Sequence, residues 1–434
     1  APAIASSQDP VPNRNGWNNT DVTVAFSCSD ERSGVEACPP PQLITTEGAG
    51  QVVPGVATDR AGNSASASHT LSIDKSAPAI TASQEPPPNR NGWNQTGVTV
   101  SFTCSDAMSG VESCSPPREV TSEGPNQVVE GLTTDRAGNT AEARLTLSID
   151  KTAPSLEIRE PADGLWTNAP ALDVKGQGVD ATPVEVSVNG VPATVTGQDA
   201  FTFTAPGVPL GDQPQEELKA VAVDVADNVG VSAVTVQVDR VKPVIHVTLP
   251  QEGAYLPTRT PEIRVSYGDD RALDLASLRV AINGEDRTGL FAKGPAEAVG
   301  VLDAASALPT GRNTVEARIE DLARNADSHL VSFHLDVEPP SLAILQPASE
   351  AWIASNFVDL AVAYGDDQAL DLESFEALLD GQPILLDQGP DRALGRAGPL
   401  GEGGHLLRVQ IQDRAGNQTS REVRFSTDTI PPGI

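Results

Sequence analysis

TDRAGNSASASHTLSIDKSAP, Thr58–Pro78, is the stretch that decides the fold. Asp59-Arg-Ala-Gly-Asn63 reads as a hairpin turn, because Asp and Asn bond their own backbone two residues on and Gly or Asn tolerates positive φ. Ala67–Ile73 reads as the strand that follows, and it runs into Asp74-Lys-Ser-Ala-Pro78 without a Gly/Ser linker. Proline fixes its own φ and biases the preceding residue to extended geometry, so this end is expected to be a short, stiff hinge.

The run recurs. Asp-x-Ala-x-Asn begins at Asp59, Asp135, Asp224, Asp321 and Asp413, closing on Asn63, Asn139, Asn228, Asn325 and Asn417. Fifteen residues after each aspartate stands another (Asp74, Asp150, Asp239, Asp336, Asp428), and four further on a proline (Pro78, Pro154, Pro243, Pro340, Pro432). So regular a repeat means one folding unit copied end to end. The expected domains are 1–76, 77–152, 153–241, 242–338 and 339–431, with 432–434 opening a further junction. Both chain ends fall on these boundaries, so a piece or processed form of a longer protein is expected, and its neighbouring domains are the first expected partners.

Within copy one, Asp21–Phe26 alternates polar and apolar residues as a half-buried strand does. Gln51–Val53 and Val56–Thr58 read as two further strands. Short Val/Thr/Ala/Ile-rich segments between Gly, Pro, Asn and Asp turns predict an all-β chain of antiparallel sandwiches arranged as an extended rod. One aromatic precedes the first clear strand of each copy: Trp17, Trp93, Trp166, Tyr255 and Trp352. Such a ring could be a ligand platform; the fixed position favours a structural anchor plugging the core or the sandwich edge.

Acidic residues outnumber basic ones 59 to 29, for a net charge of −30. That leaves no basic patch for a nucleic-acid or anionic-membrane partner, and no apolar run is long enough to span a bilayer. All four cysteines fall in the first two copies, as Cys28/Cys38 and Cys104/Cys114. Each pair flanks a Ser-Gly turn. Zinc would need about four ligands where each copy offers two thiols, so a disulfide is favoured, and with it an extracytoplasmic setting. Copies four and five share Tyr267-Gly-Asp-Asp-Arg-Ala-Leu-Asp274 and Tyr364-Gly-Asp-Asp-Gln-Ala-Leu-Asp371. Asp269, Asp270 and Asp274, and Asp366, Asp367 and Asp371, could hold calcium or serve as turns. The repeated turn and junction aspartates could likewise meet a cation between domains. No catalytic motif is present: the five histidines are scattered, and there is no nucleophile elbow, phosphate loop or dinucleotide fingerprint.

VTVxFxCSDxxSGVxxC, TDRAGNxAxAxxTLSIDKxAP and the Gly-Trp-Asn entry resemble the tandem bacterial Ig-like repeats of large secreted and cell-surface proteins, adhesins among them. Copies four and five, with YGDDxALDLxS and a closing DRAGN-type turn, resemble a second subtype. The resemblance implies five Ig-like sandwiches and an extracellular or cell-surface role. Within that class the expected role is a stalk or spacer. A subunit of a self-assembling filament and a module binding a surface glycan or protein are the alternatives.

Overall fold

The computed structural model describes residues 1–431, so Pro432 and the expected 432–434 junction lie outside the described residues. The chain is nearly all strand, and its sheets come in pairs along the sequence. No helix among the described residues is long and apolar enough to cross a membrane.

Copy one shows how sequence becomes sheet. Val22–Ser29 buries every second side chain at its start and pairs antiparallel with Ala3–Asp9, Asp9 facing Thr23 and Ala3 facing Ser29. The two expected strands Gln51–Val53 and Val56–Thr58 are one strand, Gly48–Asp59, running straight through Pro54. Pro54 is tolerated because the third strand of this sheet, Val35–Ala37, meets only Asp59 and Thr58, so no ladder bond is needed on the free side of Pro54. Gly48–Asp59 and Ser64–Ile73 form the long hairpin that the Asp59–Asn63 turn closes.

The two sheets face each other across a small core. Val22, Val24 and Phe26 from one meet Val53, Leu71 and Ile73 from the other. The Phe26 ring lies flat over Gly55, where a Cβ would sit 2.6 Å from it; Phe102 covers Gly131 in the same way at 2.2 Å. Copy two repeats the plan with Val98, Val100, Val129, Leu147 and Ile149. Copies four and five pack far more. The fourth core takes in Ile245, Ile263, Leu278, Phe291, Ile319, Phe333 and Leu335 with many others, and the fifth is built around Val362, Leu407, Ile411 and Phe425.

The cysteines sit in the poorer cores. Cys28 bonds Cys38 and Cys104 bonds Cys114. The bridged strands are neighbours in sequence but belong to opposite sheets, so each disulfide staples one sheet to the other. Each buried Val, Leu, Ile or Phe stabilises by about 1.5–3 kcal/mol. With five or six of them per sandwich, a cross-link worth about 2–3 kcal/mol is a large share of net stability.

By compactness the chain divides into two units. One comprises Ala1–Asp163, Ala171–Pro209 and Glu217–Thr235; the other comprises Gly164–Pro170, Leu210–Glu216 and the chain from Val236 on. The first contains the junctions between copies one and two and between two and three. The second contains the junctions between three and four and between four and five.

Candidate metal centres at the repeat junctions

The Asp-x-Ala-x-Asn turn is closed by its own ends. In all five copies the aspartate N–H donates to the asparagine carbonyl, at 3.0–3.2 Å. One carboxylate oxygen accepts the asparagine N–H at 2.8–2.9 Å, and the other accepts its side-chain Nδ2 at 2.7–2.9 Å. The residue before the asparagine is left-handed every time, at φ 84° for Gly62, 98° for Gly138, 72° for Asp227, 70° for Arg324 and 92° for Gly416. Glycine is at home there; Asp227 and Arg324 hold it under strain.

The asparagine also reaches backward. Nδ2 donates to the carbonyl of the preceding copy's junction aspartate: Asn139 to Asp74 at 2.9 Å, Asn228 to Asp150 at 3.0 Å, Asn325 to Asp239 at 3.0 Å and Asn417 to Asp336 at 2.9 Å. This contact explains why the two motifs repeat in step. The junction aspartate is itself fixed by its N–H, given to the carbonyl of Asn18, Asn94, Thr167, Leu256 or Ile353 for Asp74, Asp150, Asp239, Asp336 and Asp428 in turn. One of its carboxylate oxygens caps the N–H two residues on, in Ser76, Thr152, Val241, Glu338 and Ile430.

The other oxygen differs between junctions. Asp74 Oδ2 accepts the Ser109 N–H at 2.9 Å, and Asp150 Oδ2 accepts the Thr182 hydroxyl at 3.0 Å. Asp239 Oδ2 and Asp336 Oδ2 are buried with no hydrogen-bond partner, on residues only 3% and 1% exposed. Beside them lie the loops quoted from copies four and five. Asp269 spends Oδ1 on the N–H groups of Arg271 and Ala272, and Asp366 spends Oδ2 on those of Gln368 and Ala369. Asp269 Oδ2 and Asp366 Oδ1 are left buried and unpartnered.

Carboxylate oxygens of Asp239, Asp269 and Asp270 lie within 4.8 Å of one another, as do those of Asp336, Asp366 and Asp367. Asp74, Asp106 and Asp135, and Asp150, Asp180 and Asp224, are grouped as closely. Burial pushes the Asp336 carboxyl up to about 6, helped by the charges of Asp366, Asp413 and Asp367. Asp239 is raised by burial and by Asp269, Asp321 and Asp270, and Asp150 by burial and by Asp224 and Asp180.

Asp274 and Asp371 do not join these groups. Each lies in the strand after the loop and caps a local N–H, that of Ala276 or Glu373. The third member comes instead from the preceding copy. Of the two roles the sequence left open for Asp274 and Asp371, they take the local cap, because the chain between carries them past the loop into the strand. Asp106 and Asp180 were also missed as cluster members, although Asp106 stands in the quoted CSDxxSG motif. The tyrosines of the YGDD stretches are core residues whose hydroxyls tie Gly294 and Glu297, or Gly389 and Arg392, by their carbonyls.

Of the two structural positions expected for the aromatic anchors, core or sandwich edge, they take the edge. They stand beside the last strand of each copy, four of them on short strands running parallel to it, because the preceding loop leaves only a short run there. Trp17, Trp93, Trp166 and Tyr255 are half-buried, and Trp352 is 75% exposed. Two of them receive an arginine of the next copy: Arg271 lies 4.8 Å over Trp166, and Arg414 lies 5.8 Å over Tyr255. In the first unit, the loop before the tryptophan makes the equivalent contact. Asn13 and Asn15 donate to the Arg136 carbonyl, Arg14 pairs with Glu112, and Asn89 and Asn91 donate to the Val225 carbonyl.

Residues 154–240 match the family model of glucodextranase, domain B. Bacillopeptidase F of Bacillus subtilis is 26% identical over 210 residues, which cover 46% of this chain and 14% of that protein's length. Among solved structures, a tetra-tandem repeat from the extending region of a large adhesion protein aligns over 99% of this chain and 100% of its own, at 17% identity and TM-score 0.29. Fibronectin(III)-like modules of CbhA from Clostridium thermocellum align over 42% of this chain and 94% of their own, at 16% identity and TM-score 0.28. Paired antiparallel sheets and a turn repeated in every copy give the chain the fold of tandem Ig-like β-sandwich modules, of which residues 154–240 match a family model.

Proposed function

We propose that the chain is a non-catalytic spacer in an extracellular or cell-surface protein, holding other modules at a set separation. The supporting observation is the asparagine-to-aspartate bond that crosses each of the four described junctions, two in each unit. A protein built only to carry independent domains has no use for a contact repeated at every boundary. The domain limits proposed for this work are 1–76, 77–152, 153–241, 242–338 and 339–431. The direct strand-to-proline connections support it, since a coupled junction loses less on ordering than a flexible one. Catalysis has no constellation to rest on, and the disulfides fit an oxidising compartment.

Small-angle scattering coupled to size exclusion tests the proposal. The expected result is a monomer with an extended profile, and a more flexible profile for a variant carrying Asn139→Ala, Asn228→Ala, Asn325→Ala and Asn417→Ala together. A compact wild-type profile, or one unchanged by the four substitutions, would overturn it. Growth into large species would replace it with the filament.

A further inference from the structure

The second unit contains four buried carboxylate oxygens with nothing to bond: Asp239 Oδ2 and Asp269 Oδ2 at one junction, Asp336 Oδ2 and Asp366 Oδ1 at the other. At each place a third carboxylate, exposed Asp270 or Asp367, brings an oxygen within 4.8 Å of the other two. Among the described residues no protein cation answers them. Arg271 is the nearest in sequence, but its guanidinium turns to the Trp166 face, the Pro214 and Val238 carbonyls and Gln237 Oε1. The corresponding residue in copy five is the neutral Gln368, bonded to the Leu335 carbonyl. None of the six aspartates takes part in an ion pair among the described residues.

Buried carboxylate oxygens without donors are costly, and converging ones repel, unless a cation stands between them. We propose that Asp239, Asp269 and Asp270 form one calcium site, that Asp336, Asp366 and Asp367 form a second, and that the first two junctions form none. Calcium fits better than magnesium because the ligands come from two different copies. Their spacing then follows packing, and calcium accepts irregular oxygen geometry where magnesium demands an octahedron. The first two junctions are satisfied without metal, since Ser109 N–H and the Thr182 hydroxyl fill the position that is vacant of donors in the second unit. The inference stands apart from the spacer proposal, because it concerns binding and not reach.

The experiment is calcium titration by calorimetry on the full chain after chelator treatment, with calcium chloride as the probe. Two ions per chain are expected. Asp239→Asn and Asp336→Asn should each lose one, and Asp74→Asn and Asp150→Asn should keep both. The exposed Asp270→Asn and Asp367→Asn, which leave the buried packing alone, should each weaken one site about tenfold. Saturating calcium should raise the thermal midpoint of the second unit by about 5–10 °C. It should not do so in the double variant Asp239→Asn/Asp336→Asn. No binding, four ions per chain, or unchanged affinity at both sites in the Asp270 and Asp367 variants would each overturn the proposal.

Discussion

The junctions of the first unit and those of the second solve one problem in two ways. Each must bury a junction aspartate whose first oxygen caps the chain and whose second points at the next copy. At Asp74 and Asp150 the next copy supplies a donor, Ser109 N–H or Thr182 Oγ1, and the contact closes with protein alone. The next copy brings carboxylates to all four junctions, but at Asp239 and Asp336 it brings no donor with them. The cores diverge in parallel. Copies one and two hold few apolar residues and a disulfide; copies four and five hold large cores and no cysteine. The same turn and junction motifs can therefore be stabilised from covalent and hydrogen-bonded sources or from apolar burial, with the charge left over for a ligand.

The largest effect that would sharpen this contrast is reductive. Replacing Cys104 and Cys114 by alanine should destabilise copy two by about 3 kcal/mol, since its five-residue core has little in reserve. Guanidinium unfolding with and without a reductant should show the early transition of the first unit moving and that of the second staying put. If both move together, the cores are not independent sources of stability.

A second comparison is one of sign. In chelator at neutral pH, Asp336→Asn should stabilise the chain, because it removes a buried charge held among Asp366, Asp367 and Asp413. Raising that carboxyl from 3.8 to about 6 corresponds to on the order of 2–3 kcal/mol. Asp74→Asn should destabilise by about 1–2 kcal/mol, because the Ser109 and Ser76 N–H groups lose a charged acceptor. Thermal melts of the two variants in chelator read both signs. Equal signs would erase the distinction between the junctions.

Much of this was legible in sequence, and the reason is local. The turn aspartate and asparagine bond each other over four residues, so their identity alone announces the hairpin and its strands. The junction aspartate is legible by its fixed distance from the turn. Its second oxygen is not, because its partner belongs to another copy and depends on whether that copy's loop turns a donor towards it. The aromatic anchors were only half legible, for a related reason. Regular spacing left the core and the sandwich edge open; the rings lie at the edge, and the arginine that the next copy lays over Trp166 and Tyr255 could not be read from one copy alone.

A smaller effect isolates the turn from the junction. Arg324 holds φ 70° where three other copies place glycine. Arg324→Gly should stabilise copy four by about 0.5–1 kcal/mol, the relief of a left-handed non-glycine less the entropy glycine adds to the unfolded chain. The matching change Gly138→Arg should cost copy two the same amount. Chemical unfolding of both variants measures this, and unequal penalties would show that junction contacts, not the turn, set the strain.

The smallest expected effect lies inside copy five, away from any junction. His405 is largely buried, which disfavours its charged form, but Nδ1 meets Asp380 Oδ2 at 2.7 Å and Nε2 meets the Gly401 carbonyl, so its pKa is raised on balance. Asp380 is lowered, burial opposing and the His405 bond prevailing. A raised histidine contributes its full stability below the unfolded value near 6.5 and loses it as pH climbs through the higher folded value. The lowered aspartate contributes above its unfolded value near 3.8 and loses it as pH falls through the folded one. Copy five should thus be most stable between those limits and soften slightly from pH 6 towards 8. His405→Gln should flatten that slope. The first unit has no such pair among its described residues: His69 meets only Ser6 and Gln8, which are neutral. The raised carboxyls of Asp150, Asp239 and Asp336 also cost stability as pH climbs, in both units, so the histidine's share is the difference in slope between wild type and His405→Gln from pH 6 to 8; identical slopes would mean that His405 contributes none of it.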